Sequence, residues 1–230
     1  MPLQRNNSQR YSKPLKQLSL ELNHAGLVIG GGISGMVAAL GLAEQGFEVH
    51  LLERAPVLGG LARRIHHTLE GGDVQAYLSD LIHKVRENPL IKIYTEAQIA
   101  EVSGYIGNFT TKIRVGAEQG VKEIVHGVAI IASGGQEYKP SEYLYGKDTR
   151  VLTLLELGEE INKGDGKLTN CTNLVMIQCV GSREADRLYC SRICCGKAIQ
   201  CALKLKEIKP EMNIYILYRD MMTYGLKEDY

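Results

Sequence analysis

An α/β fold with parallel strands, assembled from two βαβ units, is predicted by three observations. Near the N-terminus a short apolar strand, "GLVIGGG", runs into the helical spacing of "ISGMVAALGLAEQG" and returns to strand in "FEVHLLER". The same order recurs later: "NLVMIQCVG" reads as strand, "CCGKAIQCALKLKEI" as helix closed by Pro210, and "NIYILYRD" as strand again. Strand, helix and strand in so few residues is the pattern of a parallel sheet, because the return connection must cross a face of the sheet as a helix. Thirdly, the 230-residue chain is 44% hydrophobic and carries a formal net charge of +1, so it can bury a core without a charge excess to disperse.

The elements follow in order. Residues 1–23 are polar, weakly basic and aperiodic, which predicts an arm or linker; Arg and Ser before the first acid, Glu21, leave a transit peptide as the alternative. The first βαβ unit begins at His24. After it come a loop, "APVLGGLARR", an amphipathic helix near Asp73–Glu87 and strand-like stretches "IKIYT", "TKIRV" and "GVAIIAS". Short β-branched runs separated by Gly and Asn predict a small antiparallel excursion over Ser103–Glu123. "VLTLLELGEEIN" has helical spacing, and the polar "NKGDGKLTN" marks a boundary. The predicted organisation is thus an arm over 1–23, a first domain over 24–162 and a partial second βαβ domain over 163–230.

Charge and hydropathy exclude some functions. Nothing global draws the chain to nucleic acid or an anionic membrane, and its twelve tyrosines are too scattered for a base-stacking platform. No apolar run approaches the ~20 residues that span a bilayer, and no secretory core is present. These features predict a reducing, cytoplasmic setting, where clustered cysteines bind metal or do redox work more often than they form structural disulfides.

Gly30, Gly32 and Gly35 form G-x-G-x-x-G between the first strand and helix, with Glu53 at the end of the next strand. In that context the turn predicts a Rossmann-like dinucleotide site. Gly30 permits the tight turn, Gly32 lets backbone approach a pyrophosphate, and Gly35 lets helix press on strand. The helix N-terminus offers free N–H groups to phosphate, with Ile33 and Ser34 in the same turn. Glu53, followed by Arg54, can accept from a ribose hydroxyl and disfavours a 2′-phosphate by like charge.

Four of the six cysteines lie in "CVGSREADRLYCSRICC" as C-x10-C-x3-C-C: Cys179, Cys190, Cys194 and Cys195. Adjacent Cys194 and Cys195 suit a compact zinc tetrahedron poorly, whereas a four-iron cubane takes thiolates at wider corners. Both start a helix, where N–H groups are expected to lower thiol pKa. A dithiol remains open, as do zinc and unligated core cysteines. Cys171 and Cys201 read as packing residues. His66 and His67, beside Arg63 and Arg64, read as a solvated loop with no carboxylate spaced to orient either ring.

Two resemblances sharpen these readings. Gly59 and Gly60 in "ERAPVLGG", and Ala132, Ser133 and Gly134 in "VAIIASGG", resemble the FAD-binding pattern of two-dinucleotide-domain flavoproteins of the glutathione-reductase-like group, which implies that both stretches lie near FAD. "IQCVGSREADRLYCSRICCGKAIQCALKLKEIKP", with "ILYRD" and "YGLKEDY", resembles the A-type iron–sulfur subunit of heterodisulfide reductase over about residues 15–230, and "LVIGGGISGMVAALGLAEQGFEVHLLER" fits the same family. That resemblance implies an oxidoreductase subunit with FAD and a [4Fe–4S] cluster on Cys179, Cys190, Cys194 and Cys195. It also implies partner subunits of a heterodisulfide reductase-like complex, with ferredoxin, hydrogenase or dehydrogenase electron donors. The chain departs from the family pattern in lacking further ferredoxin-like cysteine runs, in stopping at Tyr230 in the manner of a split or truncated form, and in placing Gln200 where relatives commonly carry a basic residue. Two other classes remain: a non-catalytic nucleotide- or zinc-binding module of a larger complex, and an NAD(P)H-dependent disulfide reductase using a cysteine dithiol.

Overall fold

The computed structural model describes residues 21–116, 120–164, 166 and 168–224. Most of the expected N-terminal arm and the end of "YGLKEDY" lie outside these residues. Four parallel strands form the first sheet: β1 (Gly26–Ile29), β2 (Val49–Leu52), β3 (Ile91–Tyr94) and β7 (Val128–Ile131), in the order β3-β2-β1-β7. Helices α1 (Ile33–Glu44) and α2 (Val74–Glu87) make the crossovers.

Alternation along the strands decides which side each residue serves. Val28, Val49 and Leu51 enter a core with Met36 of α1 and Leu78, Leu81 and Val85 of α2. Leu27 and Leu52 point the opposite way and pack on Ile113, Val115 and Ile124. Those partners belong to an antiparallel sheet of β4 (Ala97–Tyr105), β5 (Asn108–Val115) and β6 (Val121–His126). The parallel sheet therefore lies between helices and a second sheet. Each buried Leu, Ile or Val contributes about 1.5–3 kcal/mol.

The excursion is larger than the expected Ser103–Glu123. It starts at Ala97, because "AQIAEV" pairs with β5 through a register shift between Ile99 and Glu101, and it runs on to His126. Only Ala97 of β4 is buried, so the outer strand shows none of the alternation that would announce it.

Helix α3 (Leu154–Lys163) begins with a complete capping box, in which Thr153 Oγ1 accepts from the Glu156 N–H and the Glu156 carboxylate accepts from the Thr153 N–H. Strands β8 (Asn173–Ile177) and β9 (Asn213–Leu217) pair in parallel and are joined by α4 (Cys194–Ile208), as the second βαβ reading expects. Leu157 of α3, Met176 of β8, Ala198, Cys201 and Leu205 of α4, and Met212 share one core. Cys201, expected to be a packing residue, is 2% exposed there. The other face of the two-stranded sheet presents Val175, Ile177, Tyr215 and Leu217 to solvent. Among the described residues no helix is long and apolar enough to cross a membrane.

Candidate functional site

The three stretches expected to hold a dinucleotide meet at the carboxyl ends of β1, β2 and β7, the end of an open α/β sheet where ligands bind. Gly30 has φ 115°, and a Cβ there would stand 2.1 Å from the Ala132 carbonyl oxygen. A Cβ on Gly35 would lie 1.8 Å from the Gly30 carbonyl oxygen, whereas one on Gly32 would meet nothing within 4 Å. Two of the glycines are thus required by packing, and the third faces open space, as a cradle for a pyrophosphate should.

The loop after β2 docks on this turn. Gly59 N–H donates to the Gly31 carbonyl at 2.8 Å, and a Cβ on Gly60 would lie 3.4 Å from Gly32 Cα. Ala132 N–H donates to the Ile29 carbonyl at 2.8 Å, which brings Ala132, Ser133 and Gly134 alongside. Glu53 binds the turn itself: Oε2 accepts from Gly31 N–H at 2.8 Å and Oε1 from Ala55 N–H at 2.7 Å. Each oxygen keeps a further lone pair, so the carboxylate can also accept from a ribose hydroxyl. Ile33 and Ser34 open α1, with Ser34 exposed, and Arg54 is exposed beside Glu53.

All six cysteines are free. The ten residues between Cys179 and Cys190 fold back on themselves: Glu184 and Arg187 exchange backbone hydrogen bonds, Arg183 N–H donates to the Tyr189 carbonyl, and so does Ser182 Oγ, at 3.0 Å. This hairpin returns Cys190 towards Cys179, while Cys194 and Cys195 sit in the first turn of α4. Cys179 and Cys195 are buried, Cys190 and Cys194 half-buried. Arg192 N–H donates to Cys190 Sγ and Ser191 Oγ–H to Cys194 Sγ, both at 3.3 Å. Cys179, Arg183 and Arg192 have φ of 63°, 60° and 63°, conformations costing about 1–3 kcal/mol each that cluster where a site imposes them. The helix N-terminus does not lower the Cys195 thiol as expected. Burial, with the neighbouring Cys194 and Cys179 sulfurs, pushes it up, outweighing a backbone hydrogen bond at Met222.

Among the described residues no three Cys, His, Asp or Glu side chains stand close enough to share one metal ion. The chemistry of the donor set nevertheless fits a larger thiolate-ligated group. Four free thiols lie between the end of β8 and the first turn of α4, and the buried polar atoms without partners, on Gln178 and Arg183, flank Cys179.

A bridge missed in the sequence joins the two regions. Gln200 Nε2 on α4 donates to the carbonyls of His67 and Thr68, and Lys197 Nζ donates to Gln200 Oε1 at 2.8 Å. Arg64, expected in a solvated loop, instead binds Glu159 of α3 at 2.5 Å and Glu137 at 2.6 Å. Those hydrogen bonds, Glu159 first, raise its pKa. His66 and His67 are half-buried, and their backbone pairs with Asp73 and Val74 at the start of α2, so a carboxylate does stand near them. No spacing in the sequence could announce pairs 73 and 95 residues apart.

An A-type heterodisulfide reductase iron–sulfur subunit of Methanopyrus kandleri is 29% identical over 94% of this chain and 46% of its own length. Its counterpart in Methanocaldococcus jannaschii is 28% identical over 91% of the chain and 45% of its own. The chain is a homologue of the A-type iron–sulfur subunit of heterodisulfide reductase. It spans about half the length of these heterodisulfide reductase relatives. The alignment with the first covers 307 positions against the chain's 230 residues, so that relative holds additional residues inside the matched region. Residues 28–97, which contain the glycine turn and Glu53, match the NAD(P)-binding Rossmann-like domain family. L-proline dehydrogenase from P. horikoshii superposes with a TM-score of 0.52 over 93% of this chain and 40% of its own at 19% identity, a likeness of fold.

Proposed function

We propose that this chain is an FAD- and [4Fe–4S]-containing electron-transfer subunit of a heterodisulfide reductase-like oxidoreductase complex. The observation that supports the reading is that the glycine turn and the four cysteines lie in one chain, on units that contact each other. Gln200, on the helix that Cys194 and Cys195 begin, donates to the carbonyls of His67 and Thr68 in the segment that follows the Gly59–Gly60 loop of the glycine cradle. Gly30, Gly32, Ile33, Ser34 and Gly35 would hold the pyrophosphate, Glu53 and Arg54 the ribose side, and Gly59, Gly60, Ala132, Ser133 and Gly134 the walls. Cys179, Cys190, Cys194 and Cys195 would hold the cluster, the first domain spanning 24–162 and the second 163–230.

When bound, the flavin supplies two-electron chemistry and the cluster one-electron transfer. The chain's own part is positional. Glu53 keeps the glycine turn in its binding conformation, Gly32 leaves room for phosphate, and Gln200 with Arg64 holds the loop after Gly60 against the cysteine-bearing unit. In this reading, the partners are further subunits of such a complex, supplied by ferredoxin, hydrogenase or dehydrogenase in the cytoplasm.

Anaerobic purification with flavin, iron, sulfide and zinc quantified on one sample tests the proposal. Flavin bands with close to four irons per chain are expected, as a [4Fe–4S] site requires. Cys195→Ser should lose most of the iron, whereas Cys201→Ser should keep it, since Cys201 belongs to the core. Zinc without flavin would instead mark a non-catalytic module, and flavin with thiol-dependent NAD(P)H oxidation but no iron a dithiol reductase.

A further inference from the structure

Three buried side-chain atoms have no hydrogen-bond partner among the described residues: Nε2 and Oε1 of Gln178, and Nη1 of Arg183. They flank one thiol, Cys179. Leaving a buried N–H unpaired costs about 1–3 kcal/mol, so orphaned donors concentrated at one place point to an acceptor that belongs there.

Geometry says where that acceptor lies. Gln178, 7% exposed, continues the alternation of Leu174 and Met176 and so stands on the α4-facing side of β8. The βαβ connection brings the first turn of α4, with Cys194 and Cys195, to that same carboxyl end of the strand. Arg183 is anchored from the other side: Nη2 pairs with Asp220 Oδ2 at 2.6 Å, and Arg219 donates to the Arg183 carbonyl. The Asp220 carbonyl in turn receives Cys195 Sγ at 3.9 Å. The guanidinium is thus fixed between Asp220 and the cysteine loop with one nitrogen unused.

We propose that Gln178 and Arg183 are positioning residues that donate N–H bonds to the sulfurs of the cluster held by Cys179, Cys190, Cys194 and Cys195, and that they raise its reduction potential. The inference rests on the cluster reading given above. Hydrogen bonds to sulfur and a nearby cation favour the reduced form, which carries one more negative charge. Among the described residues Nη1 has no acceptor, and Asp220 is held at Nη2.

The test uses the full chain, reconstituted anaerobically with iron and sulfide, and reads the midpoint potential by EPR-monitored titration. Gln178→Leu and Arg183→Gln should keep their iron but shift to a more negative midpoint. The expected shift is about a tenfold change in the reduced-to-oxidised ratio, some 59 mV for a one-electron couple. Arg183→Lys should recover part of it. In the iron-free chain Gln178→Leu should melt at the same temperature or higher, since it removes an unpaired amide and breaks no existing bond. If Arg183→Gln fails to fold, the Gln178→Leu midpoint decides. Unchanged midpoints in iron-replete variants overturn the inference and leave the cluster reading standing; wild-type protein that takes up no iron overturns both.

Discussion

Gly30 and Gly32 sit two residues apart in one turn, yet they answer to different demands. Gly30 is held at positive φ against the Ala132 carbonyl, so Gly30→Ala should lower stability by about 2–3 kcal/mol and depress the melting temperature of the flavin-free chain. Gly32→Ala meets open space and should melt like the wild type. Its defect should be in flavin retention, read from the absorbance of the purified protein; unimpaired retention would count against a pyrophosphate at this turn. Glu53 combines both demands, since its carboxylate accepts from Gly31 and Ala55 and keeps capacity for a ribose.

Helix α3 shows how local and distant forces combine in one element. Its capping box joins Thr153 to Glu156 three residues on, and Thr153→Ala should cost about 1 kcal/mol in chemical denaturation. The same Glu156 also accepts from Lys139 at 2.8 Å and from Tyr145 at 2.8 Å. Burial would raise its pKa, but the hydrogen bonds from Lys139, the Thr153 N–H and Tyr145 outweigh burial and bring it to about 2. A carboxyl depressed in the folded state stabilises the protein above the unfolded pKa near 4.5, and that contribution is lost as pH falls through about 2. Acid titration of stability should therefore show a loss between about pH 5 and pH 2, and Glu156→Gln should flatten that window.

At the scale of the molecule, Arg64 is the residue on which three parts converge. It follows the Gly59–Gly60 loop and pairs with Glu137, beyond the Ala132–Gly134 strand end, and with Glu159 on α3. Glu137 is 12% exposed and also accepts from Lys139 at 3.0 Å and from the Thr153 hydroxyl, so Arg64→Ala would remove one of its three partners. The expected cost, near the upper end for exposed pairs, is about 1 kcal/mol. Because the pair joins the dinucleotide end of the sheet to the helix packed on α4, the variant should also separate one thermal transition into two. A single unshifted transition would show that the link is dispensable.

Both βαβ units, the glycine turn with Glu53, the amphipathic α2 and the packing role of Cys201 were legible in the linear chain, because each is written in short-range periodicity, turn chemistry and spacing. The full extent of the antiparallel sheet was not, since β4 is exposed along nearly its whole length and carries no alternation. Nor were the Arg64 and Gln200 bridges, the burial that raises Cys195, or the orphaned donors beside Cys179. Local pattern specifies elements and the residue types a site requires, since both depend on neighbours a few positions away. Which loop grips which helix, and which polar atom is left without a partner, is settled only when residues distant in the chain are brought together and water is excluded between them.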